Sequence, residues 1–369
     1  MKNEFKRILY IFLSLCIILT VALFISWVAD GGEGPETSTE LSENNAISND
    51  ESNAASEAFA EQSENSGEQS EISQDEISQN ISSEESADDI SAEISEEHNI
   101  ADGFPVNYIE RNVTAGYVAV YNVTDGKYIY GKNENEKCYP ASLTKLVTAL
   151  LAVKYISQDD IITVGNEITR IGKGSSTAYL IVGYRMKLEV LLDAMMLPSG
   201  NDAAYVAAVT IGRKVLENDN ATIDEALDCF YATANEYVRS IGCVNTNIAC
   251  PDGYHDNNHY STAWDYVLIS REALKDSLIA KVVKKKIAYD TLADGTQVSY
   301  TNGNQLLFET NYVTGLKTGT TNEAGYCIAA SAEYNGVELI VIVMKSTSAA
   351  ARYSDAQKLI SASYGWFES

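Results

Sequence analysis

The chain has 369 residues, 45% of them hydrophobic, and a formal net charge of −26 at pH 7. Residues 30–104 contain 22 acidic side chains and neither lysine nor arginine, so the rest of the chain is close to neutral at −4. The acidity therefore describes one segment rather than a folded domain. No basic face for nucleic acid is indicated, and no nucleic-acid partner is predicted.

The first predicted element is a membrane span. Lys2, Lys6 and Arg7 precede an uncharged run over residues 8–29, which at about 1.5 Å per residue crosses a hydrocarbon core about 30 Å thick. The alternative is a cleaved signal peptide, whose apolar region is usually about 7–15 residues long. We expect residues 1–29 to form a cytoplasmic tip and an uncleaved single-pass membrane anchor, with everything after Asp30 outside.

Residues 30–104 are predicted to be a disordered stalk. They consist largely of Ser, Glu, Asn, Gln and Ala. Few aromatic residues and a large charge of one sign leave too little apolar surface to offset the entropy of ordering. The stalk is expected to act as a spacer between the anchor and one globular domain over residues 105–369, which is long enough to bury an extensive core.

Cysteine and histidine spacings give little support to a metal site. The globular domain contains five cysteines, an odd and widely spaced set that does not match a disulfide framework. Cys243 and Cys250 can pair, but buried free thiols are favoured, and no C-x-x-C motif indicates zinc. His255 and His259 have a spacing that a metal can use, yet a structural role is favoured in this loop-rich stretch. No metal and no cofactor is predicted.

The elements of the globular domain follow in chain order. Residues 117–121 and 127–130 flank Thr124-Asp125-Gly126, which predicts a β-hairpin. An apolar stripe at helical spacing begins near Ser142, just after a proline, and predicts a helix to Lys154. Further helices are predicted over residues 189–196, 203–216, 223–241 and 352–367, and strands over residues 312–318, 326–333 and 337–345. Strands at both ends of the domain indicate one sheet built from both termini, with a helical subdomain between them.

Ser142 and Lys145 are three residues apart at the start of the predicted helix. At this spacing two side chains lie on one helix face, about 5–6 Å apart. A serine hydroxyl needs a base to act as a nucleophile near neutral pH, and a lysine can serve when its ammonium form is disfavoured by burial or by neighbouring cations. The S-x-x-K motif alone is weak, because it occurs by chance about as often as not in a chain of this length.

Two further motifs complete a pattern. Ser199-Gly200-Asn201 offers a hydroxyl that can relay a proton from Lys145 and an amide that can hold a substrate carbonyl, although an ordinary turn is the alternative. Lys317-Thr318-Gly319 ends a predicted strand and offers a positive charge, a hydroxyl and a glycine beside which a substrate backbone can lie. S-x-x-K, S-x-N and K-T-G in this order are the signature of penicillin-interacting serine enzymes.

Residues 105–369 resemble the catalytic domain of the D-alanyl-D-alanine carboxypeptidases among the low-molecular-mass penicillin-binding proteins. Matching stretches beyond the motifs include residues 259–263 and 324–326, and Arg352 with residues 358–360 matches the closing helix of that family. The resemblance implies an α/β (α+β) penicillin-binding or β-lactamase-like fold, with an antiparallel sheet flanked by helices and a helical subdomain. It also implies a peptidoglycan stem peptide as substrate, and β-lactams as inhibitors.

The resemblance implies a role for each motif residue. Ser142 attacks the carbonyl between the last two D-Ala residues, and Lys145 accepts its proton as general base. Ser199 relays a proton to the leaving amine, and Asn201 orients the substrate amide. Backbone N–H groups of Ser142 and Thr320 form the oxyanion hole. The substrate carboxylate is expected to lie among the remaining site residues, which are Lys317, Thr318, Gly319, Thr320 and Arg352.

Three alternatives remain open. A class A β-lactamase shares these motifs but needs a glutamate in an E-x-x-L-N context to activate the deacylating water, and residues 199–317 contain none. A non-catalytic penicillin-sensing or wall-binding protein would carry degraded motifs, whereas all three are intact. An endopeptidase that acts on cross-links uses the same machinery, and the sequence does not separate it from a carboxypeptidase.

Overall fold

A computed structural model describes residues 99–366 of the chain. The predicted anchor and nearly all of the predicted stalk lie outside the described residues. Among those that are described, no helix is both long and apolar enough to cross a lipid bilayer.

Helices and strands of residues 99–366 form an α+β arrangement. The helices are α1 (Val106–Asn112), α2 (Lys145–Tyr155), α3 (Leu188–Met196), α4 (Asn201–Val215), α5 (Ile223–Ser240), α6 (Ala263–Lys275), α7 (Ser277–Lys284), α8 (Leu306–Glu309) and α9 (Ala349–Ser363). The strands are β1 (Tyr117–Asn122), β2 (Lys127–Lys132), β3 (Ile162–Thr163), β4 (Arg185–Met186), β5 (Ile287–Thr291), β6 (Gln297–Thr301), β7 (Val313–Thr321), β8 (Gly325–Tyr334) and β9 (Val337–Ser346). Short 3₁₀ turns occupy Ala141–Thr144 and Asn166–Arg170.

A five-stranded antiparallel sheet forms the centre of the domain. Its strand order is β2-β1-β9-β8-β7, and β3-β4 and β5-β6 form two small separate hairpins. Strand β1 pairs with β9, so that Val120 lies opposite Val341. The order confirms the prediction that both ends of the domain build one sheet, and the predicted first hairpin is present as β1 and β2.

Strand β9 shows why the sheet is buried on both faces. Residues 339–344 are an unbroken apolar run, and each is at most 1% exposed. Successive side chains of a strand point to opposite faces, so a continuous run indicates burial on both sides. Alternate residues accordingly enter two cores, a larger one with helices α2–α7 and a smaller one with α1 and α9: Ile340, Ile342 and Met344 in the first, Leu339, Val341 and Val343 in the second.

The predicted helices are present, and capping determines their true ends. Helices α3, α4 and α5 agree with their predictions within two residues at each end. The closing helix α9 begins earlier than predicted because Ser348 caps it, accepting the N–H of Ala351 at 3.0 Å. It also ends earlier than predicted, just before Gly365, which has a left-handed φ of 72°.

Two of the helices that the sequence analysis did not assign, α6 and α7, contribute to the larger core on one face of the sheet. Thr262 begins α6 by accepting the N–H of Asp265 at 3.0 Å, and Asp276 begins α7 by accepting the N–H groups of Leu278 and Ile279. Helix α6 packs across β1 and β9. The cysteines of residues 99–366 are all buried free thiols, as the sequence favoured, and this includes Cys243 and Cys250.

Candidate active site

Ser142 lies in the 3₁₀ turn that leads directly into α2. The α-helix itself begins only at Lys145. Ala141 has a φ of 51°, a left-handed conformation that is uncommon for a residue with a side chain. Thr144 Oγ1 donates a hydrogen bond to Ala141 O at 2.8 Å and closes the turn. Backbone strain of this kind persists where surrounding contacts hold it, and it clusters at functional sites.

His259 supports this turn from behind. Its Nδ1 accepts the N–H of Ala249 at 3.1 Å, so the proton is on Nε2, which donates to Thr144 Oγ1 at 2.7 Å. Burial lowers the pKa of His259 to about 4, which favours the neutral ring that these two bonds require. With both nitrogens occupied, His259 has the structural role that the sequence favoured.

Lys145 is the centre of the site. Its side chain is 0% exposed, and its Nζ contacts Ser142 Oγ at 3.0 Å, Asn201 Oδ1 at 2.7 Å and Asp252 O at 2.7 Å. The amide and carbonyl oxygens only accept hydrogen bonds, whereas the hydroxyl can donate or accept. A neutral Lys145 therefore donates to Asn201 and Asp252 and keeps its lone pair for the hydroxyl proton of Ser142.

The environment of Lys145 brings its titration close to neutral pH. Burial lowers the pKa of Lys145 to about 8, against the opposing effects of Asp252, Cys250 and Asp202. With that pKa, about one lysine in ten is neutral at pH 7. A base is most effective when its pKa lies near the working pH, so the position of Lys145 suits general base chemistry.

Asn201, at the start of α4, joins Lys145 to the loop of residues 175–180. Its Nδ2 donates to Ser175 Oγ at 2.9 Å, and its backbone N–H donates to Ser176 O at 2.9 Å. The amide is thus held from both sides, with its oxygen directed at the Lys145 ammonium.

Asp202, the residue after Asn201 in α4, also holds the loop of residues 175–180. Its buried carboxylate accepts the N–H groups of Ala178 at 2.8 Å and Leu180 at 3.0 Å. The intervening Tyr179 has a φ of 58° and is 84% exposed. The loop is therefore anchored to the first turn of α4, where the helix N-terminus favours a negative charge.

Ser199 lies two residues before Asn201 in the chain and makes no hydrogen bond to Lys145 among the described residues. It is partly buried, precedes α4 by two residues and has a φ of 63°. Its hydroxyl is not among the three oxygens that contact Lys145 Nζ within residues 99–366. The relay of a proton through Ser199 therefore stays a prediction.

Strand β7 forms the opposite wall of the site. Lys317 is 2% exposed and donates to Thr318 O at 3.0 Å. Burial, reinforced by the charges of Lys145 and Arg352, holds the pKa of Lys317 well below its usual value. Three basic side chains, Lys145, Lys317 and Arg352, therefore influence one another here, an arrangement that suits an anionic ligand.

Gly319 allows β7 to lie against the 3₁₀ turn Ala141–Thr144, the nucleophile turn, which carries Ser142. A Cβ at Gly319 would stand 2.7 Å from Ser142 N, closer than real Cβ contacts allow. The sequence relates Gly319 to the substrate backbone, and the structure adds this intramolecular reason for a glycine. Gly253 makes a similar approach, with a φ of 82° and a Cβ position 1.9 Å from Ala141 O.

Arg352 reaches from α9 to the end of β7. Its Nη1 donates to Gly319 O at 3.2 Å and to Thr320 Oγ1 at 3.0 Å. Its guanidinium also lies 4.7 Å from the ring centroid of Tyr353, whose hydroxyl donates to Gly303 O at 2.8 Å. The structure thus brings Arg352 to the strand that carries Lys317, although the two residues are distant in sequence.

Sequence reasoning missed several residues that shape the site. Asp252 and Gly253 lie under the nucleophile turn, and Ser175 and Asp202 hold Asn201 and its loop. The available signal was the Asp252-Gly253 pair, which by itself indicates only a turn.

Known proteins are similar to this chain in sequence. Residues 106–348 match the model of a family described as D-alanyl-D-alanine carboxypeptidase. The carboxypeptidase DacF of Bacillus subtilis is 29% identical over 248 residues, 66% of this chain and 60% of the relative. The D-alanyl-D-alanine carboxypeptidase of Streptomyces sp. K15 is 32% identical over 261 residues, 68% of this chain and 86% of the relative. The chain spans about three fifths of the length of several of these relatives.

Solved structures show the same fold. The crystal structure of the Streptomyces K15 DD-transpeptidase has a TM-score of 0.64 and 29% identity, and the match covers 69% of this chain and 98% of that one. DacD of Francisella tularensis has a TM-score of 0.59 and 25% identity, with coverages of 68% and 70%. The predicted antiparallel sheet flanked by helices is confirmed. The chain therefore belongs to the D-alanyl-D-alanine carboxypeptidase family of low-molecular-mass penicillin-binding proteins.

Proposed function

We propose that this protein is a serine-type D-Ala-D-Ala carboxypeptidase. It removes the terminal D-Ala from peptidoglycan stem pentapeptides through an acyl-enzyme, and β-lactams inhibit it by acylating the same serine. The observation that carries the proposal is the 3.0 Å contact between Lys145 Nζ and Ser142 Oγ. The lysine of that pair is fully buried, and burial lowers its pKa to about 8. Family membership gives the same chemistry independently.

In the acylation step Ser142 Oγ attacks the substrate carbonyl while its proton passes to Lys145. The ammonium that forms retains its bonds to Asn201 Oδ1 and Asp252 O, so no rearrangement of the base is needed. The oxyanion is held by the backbone N–H groups of Ser142 and Thr320. The close approach of Gly319 to Ser142 N supports this pairing. Loss of one such donor typically costs about 2.7–4 kcal/mol of barrier.

The free carboxylate of the substrate lies among Lys317, Thr318, Thr320 and Arg352, beside Gly319. The convergence of the two cations at the end of β7 supports this assignment. Ser199 relays the proton from Lys145 to the leaving D-Ala amine, and water then cleaves the acyl-enzyme. No cofactor enters any of these steps.

The location of the enzyme is part of the proposal. Residues 1–29 anchor the chain in a bacterial plasma membrane, residues 30–104 form the stalk, and the catalytic domain of residues 105–369 works outside. The basic residues before the apolar run of residues 8–29 support this orientation, and so does the extracytoplasmic position of the substrate.

Mass spectrometry of the full chain in detergent tests the function. We expect release of D-Ala from diacetyl-Lys-D-Ala-D-Ala and, separately, one stable penicillin adduct per chain. Ser142→Ala should abolish the adduct, whereas the exposed Ser157→Ala should keep it; labelling of Ser142→Ala would remove Ser142 as the nucleophile. Lys145→Ala should slow acylation by at least about 10²-fold, and a near-normal rate would mean that another base operates.

The same experiment separates the alternatives. Rapid β-lactam turnover would identify a β-lactamase, and an adduct without D-Ala release would identify a penicillin sensor. The likeness to the Streptomyces K15 DD-transpeptidase motivates a further arm with an amine acceptor, in which transfer exceeding hydrolysis would identify a transpeptidase. Cleavage of cross-linked dimers would identify an endopeptidase.

A further inference from the structure

A buried carboxylate lies next to Lys145 and has no part in the chemistry above. Asp252 is 0% exposed, and its Oδ1 accepts the N–H of Tyr254 at 3.0 Å. Its Oδ2 is buried, and among the described residues it meets at most the weak thiol donor of Cys250. A carboxylate in such a place is costly unless it faces positive charge. The main-chain oxygen of the same residue is 2.7 Å from Lys145 Nζ, and among the nearby acidic groups the charge of Asp252 most strongly favours the ammonium form of Lys145.

The segment that carries Asp252 is fixed on both sides of it. Pro251 O accepts the hydroxyl of Thr148, on α2, at 2.6 Å. The bare Cα of Gly253 lies against Ala141 O in the nucleophile turn, in a left-handed conformation. Asp252 is therefore held between the helix that carries Lys145 and the turn that carries Ser142.

Of the titratable groups near Lys145, Asp252 is the one best suited to act as the counterion of its ammonium. Asp202 also favours the ammonium, but its carboxylate already accepts the N–H groups of Ala178 and Leu180. Burial raises the pKa of the Cys250 thiol, which therefore stays neutral and donates to Tyr254 O at 3.1 Å. Lys317 is the basic neighbour on β7, and the charge of Lys145 helps to lower the pKa of Lys317.

We infer that Asp252 is a positioning residue for Lys145: its main-chain oxygen holds Nζ against Ser142, and its buried carboxylate stabilises the ammonium formed during acyl transfer. As the bond from Ser142 Oγ to the substrate carbon forms, the hydroxyl proton passes to Lys145 and remains there until it is delivered to the leaving group. The part of Asp252 in this step is electrostatic. The inference rests on the proposed function, in which Lys145 is the base.

Asp252→Asn separates the charge from the geometry. Asparagine has nearly the same shape and keeps the main-chain contact, but the ammonium of Lys145 loses its counterion. Lys145 then loses its proton at lower pH, so the acidic limb of the acylation rate should move to lower pH by about one unit or more. Above that limb the rate should fall about threefold or more, because a less basic lysine is a weaker general base.

The test is stopped-flow acylation of the full chain by a fluorescent penicillin across the pH range. Asp256→Asn is the matched control, because that carboxylate lies in the same loop but is exposed and accepts only the N–H of Asn258 within the described residues. We expect the acidic limb to shift in Asp252→Asn and to coincide with wild type in Asp256→Asn. An unshifted limb in folded Asp252→Asn, or an equal shift in the control, would overturn the inference.

A separate measurement shows whether each variant folds, so that a loss of folding is not mistaken for a shift in the pH dependence of acylation. Thermal unfolding of each variant reports whether it folds, and Asp252→Ser provides a second, smaller variant without the carboxylate. If neither Asp252 variant folds, the carboxylate is structural and the inference is wrong. If the wild-type chain is not acylated at all, it is the proposed function that fails.

Discussion

Gly319→Ala tests the contact between β7 and the nucleophile turn. A Cβ at this position stands 2.7 Å from Ser142 N, 3.0 Å from Ala141 Cβ and 3.1 Å from Pro140 O, whereas ordinary contacts begin at 3.4 Å. None of these atoms belongs to the end of a flexible side chain, so no rotamer change relieves the clash. The strand and the turn must separate by about 0.7 Å at the nearest atom.

A separation of this size acts directly on the proposed oxyanion hole. Ser142 N is one of its two donors, and Thr320, which carries the other, follows Gly319 in the strand. An oxyanion donor must lie within about 2.7–3.1 Å, and losing one costs about 10²–10³ in rate. We expect Gly319→Ala to be acylated by a fluorescent penicillin about 10²-fold more slowly. Its free energy of unfolding should fall by only about 1–3 kcal/mol, as overpacking usually costs.

Gly303→Ala is the matched control for this substitution. A Cβ on Gly303 would be 3.7 Å from Leu197 O and 3.9 Å from Thr318 Oγ1, which are ordinary contacts, and its φ lies outside the left-handed region. Stopped-flow acylation gives the rate, and urea unfolding gives the stability. If Gly319→Ala is folded and reacts at the wild-type rate, the spacing of β7 and the turn does not set the oxyanion geometry, and the reasoning is refuted.

Three further predictions concern titration and stability. Wild-type acylation should rise with pH and level off above about 8, because burial lowers the pKa of Lys145 to that value; a rate that does not vary around this pH would contradict it. Asp202→Asn should weaken charge-assisted bonds worth about 1.5–3 kcal/mol each and speed amide hydrogen exchange at Ala178 and Leu180, and unchanged exchange would count against it. Asp355→Ala should lower the urea-measured free energy of unfolding by at least about 3 kcal/mol, whereas a loss within the roughly 0.5 kcal/mol of ordinary surface substitutions would contradict it. The donors that lose this shared acceptor are Thr114 N, Thr114 Oγ1, Ala115 N and Ser346 Oγ.

The elements that could be predicted are those whose signal is local. The β1–β2 hairpin follows from one turn sequence, and the buried strand β9 follows from one apolar run. The sequence predicts a helix start near Ser142, and a helical turn does begin there. This first turn is 3₁₀ rather than α-helical, because the tertiary contacts around Ala141 hold that residue in a strained conformation. The sequence analysis does not assign helices α6 and α7. Only Asp276, which caps α7, separates the two helices, and neither a glycine nor a proline marks the boundary between them.

The site residues, too, fall into those that local sequence indicates and those that only the fold brings together. Ser142, Lys145 and Lys317 belong to motifs whose chemistry depends on side-chain type, so the sequence displays them. Asp252 contacts Lys145 through its main-chain oxygen across 107 positions, and every residue type carries such an oxygen. A partner of that kind is determined by where the chain runs, which short motifs do not encode.

The charges of the site indicate that an anion completes it. Lys145 has three oxygen neighbours, whereas the equally buried Lys317 donates to a single carbonyl oxygen within residues 99–366, and Arg352 Nε is buried there without a partner. A buried cation in this position is costly unless an opposite charge arrives. Under the proposed function, a substrate carboxylate beside Lys317 and Arg352 would supply that charge. A free C-terminal carboxylate carries this charge and an amide does not, so under the proposed function the site would favour a substrate with a free C-terminus.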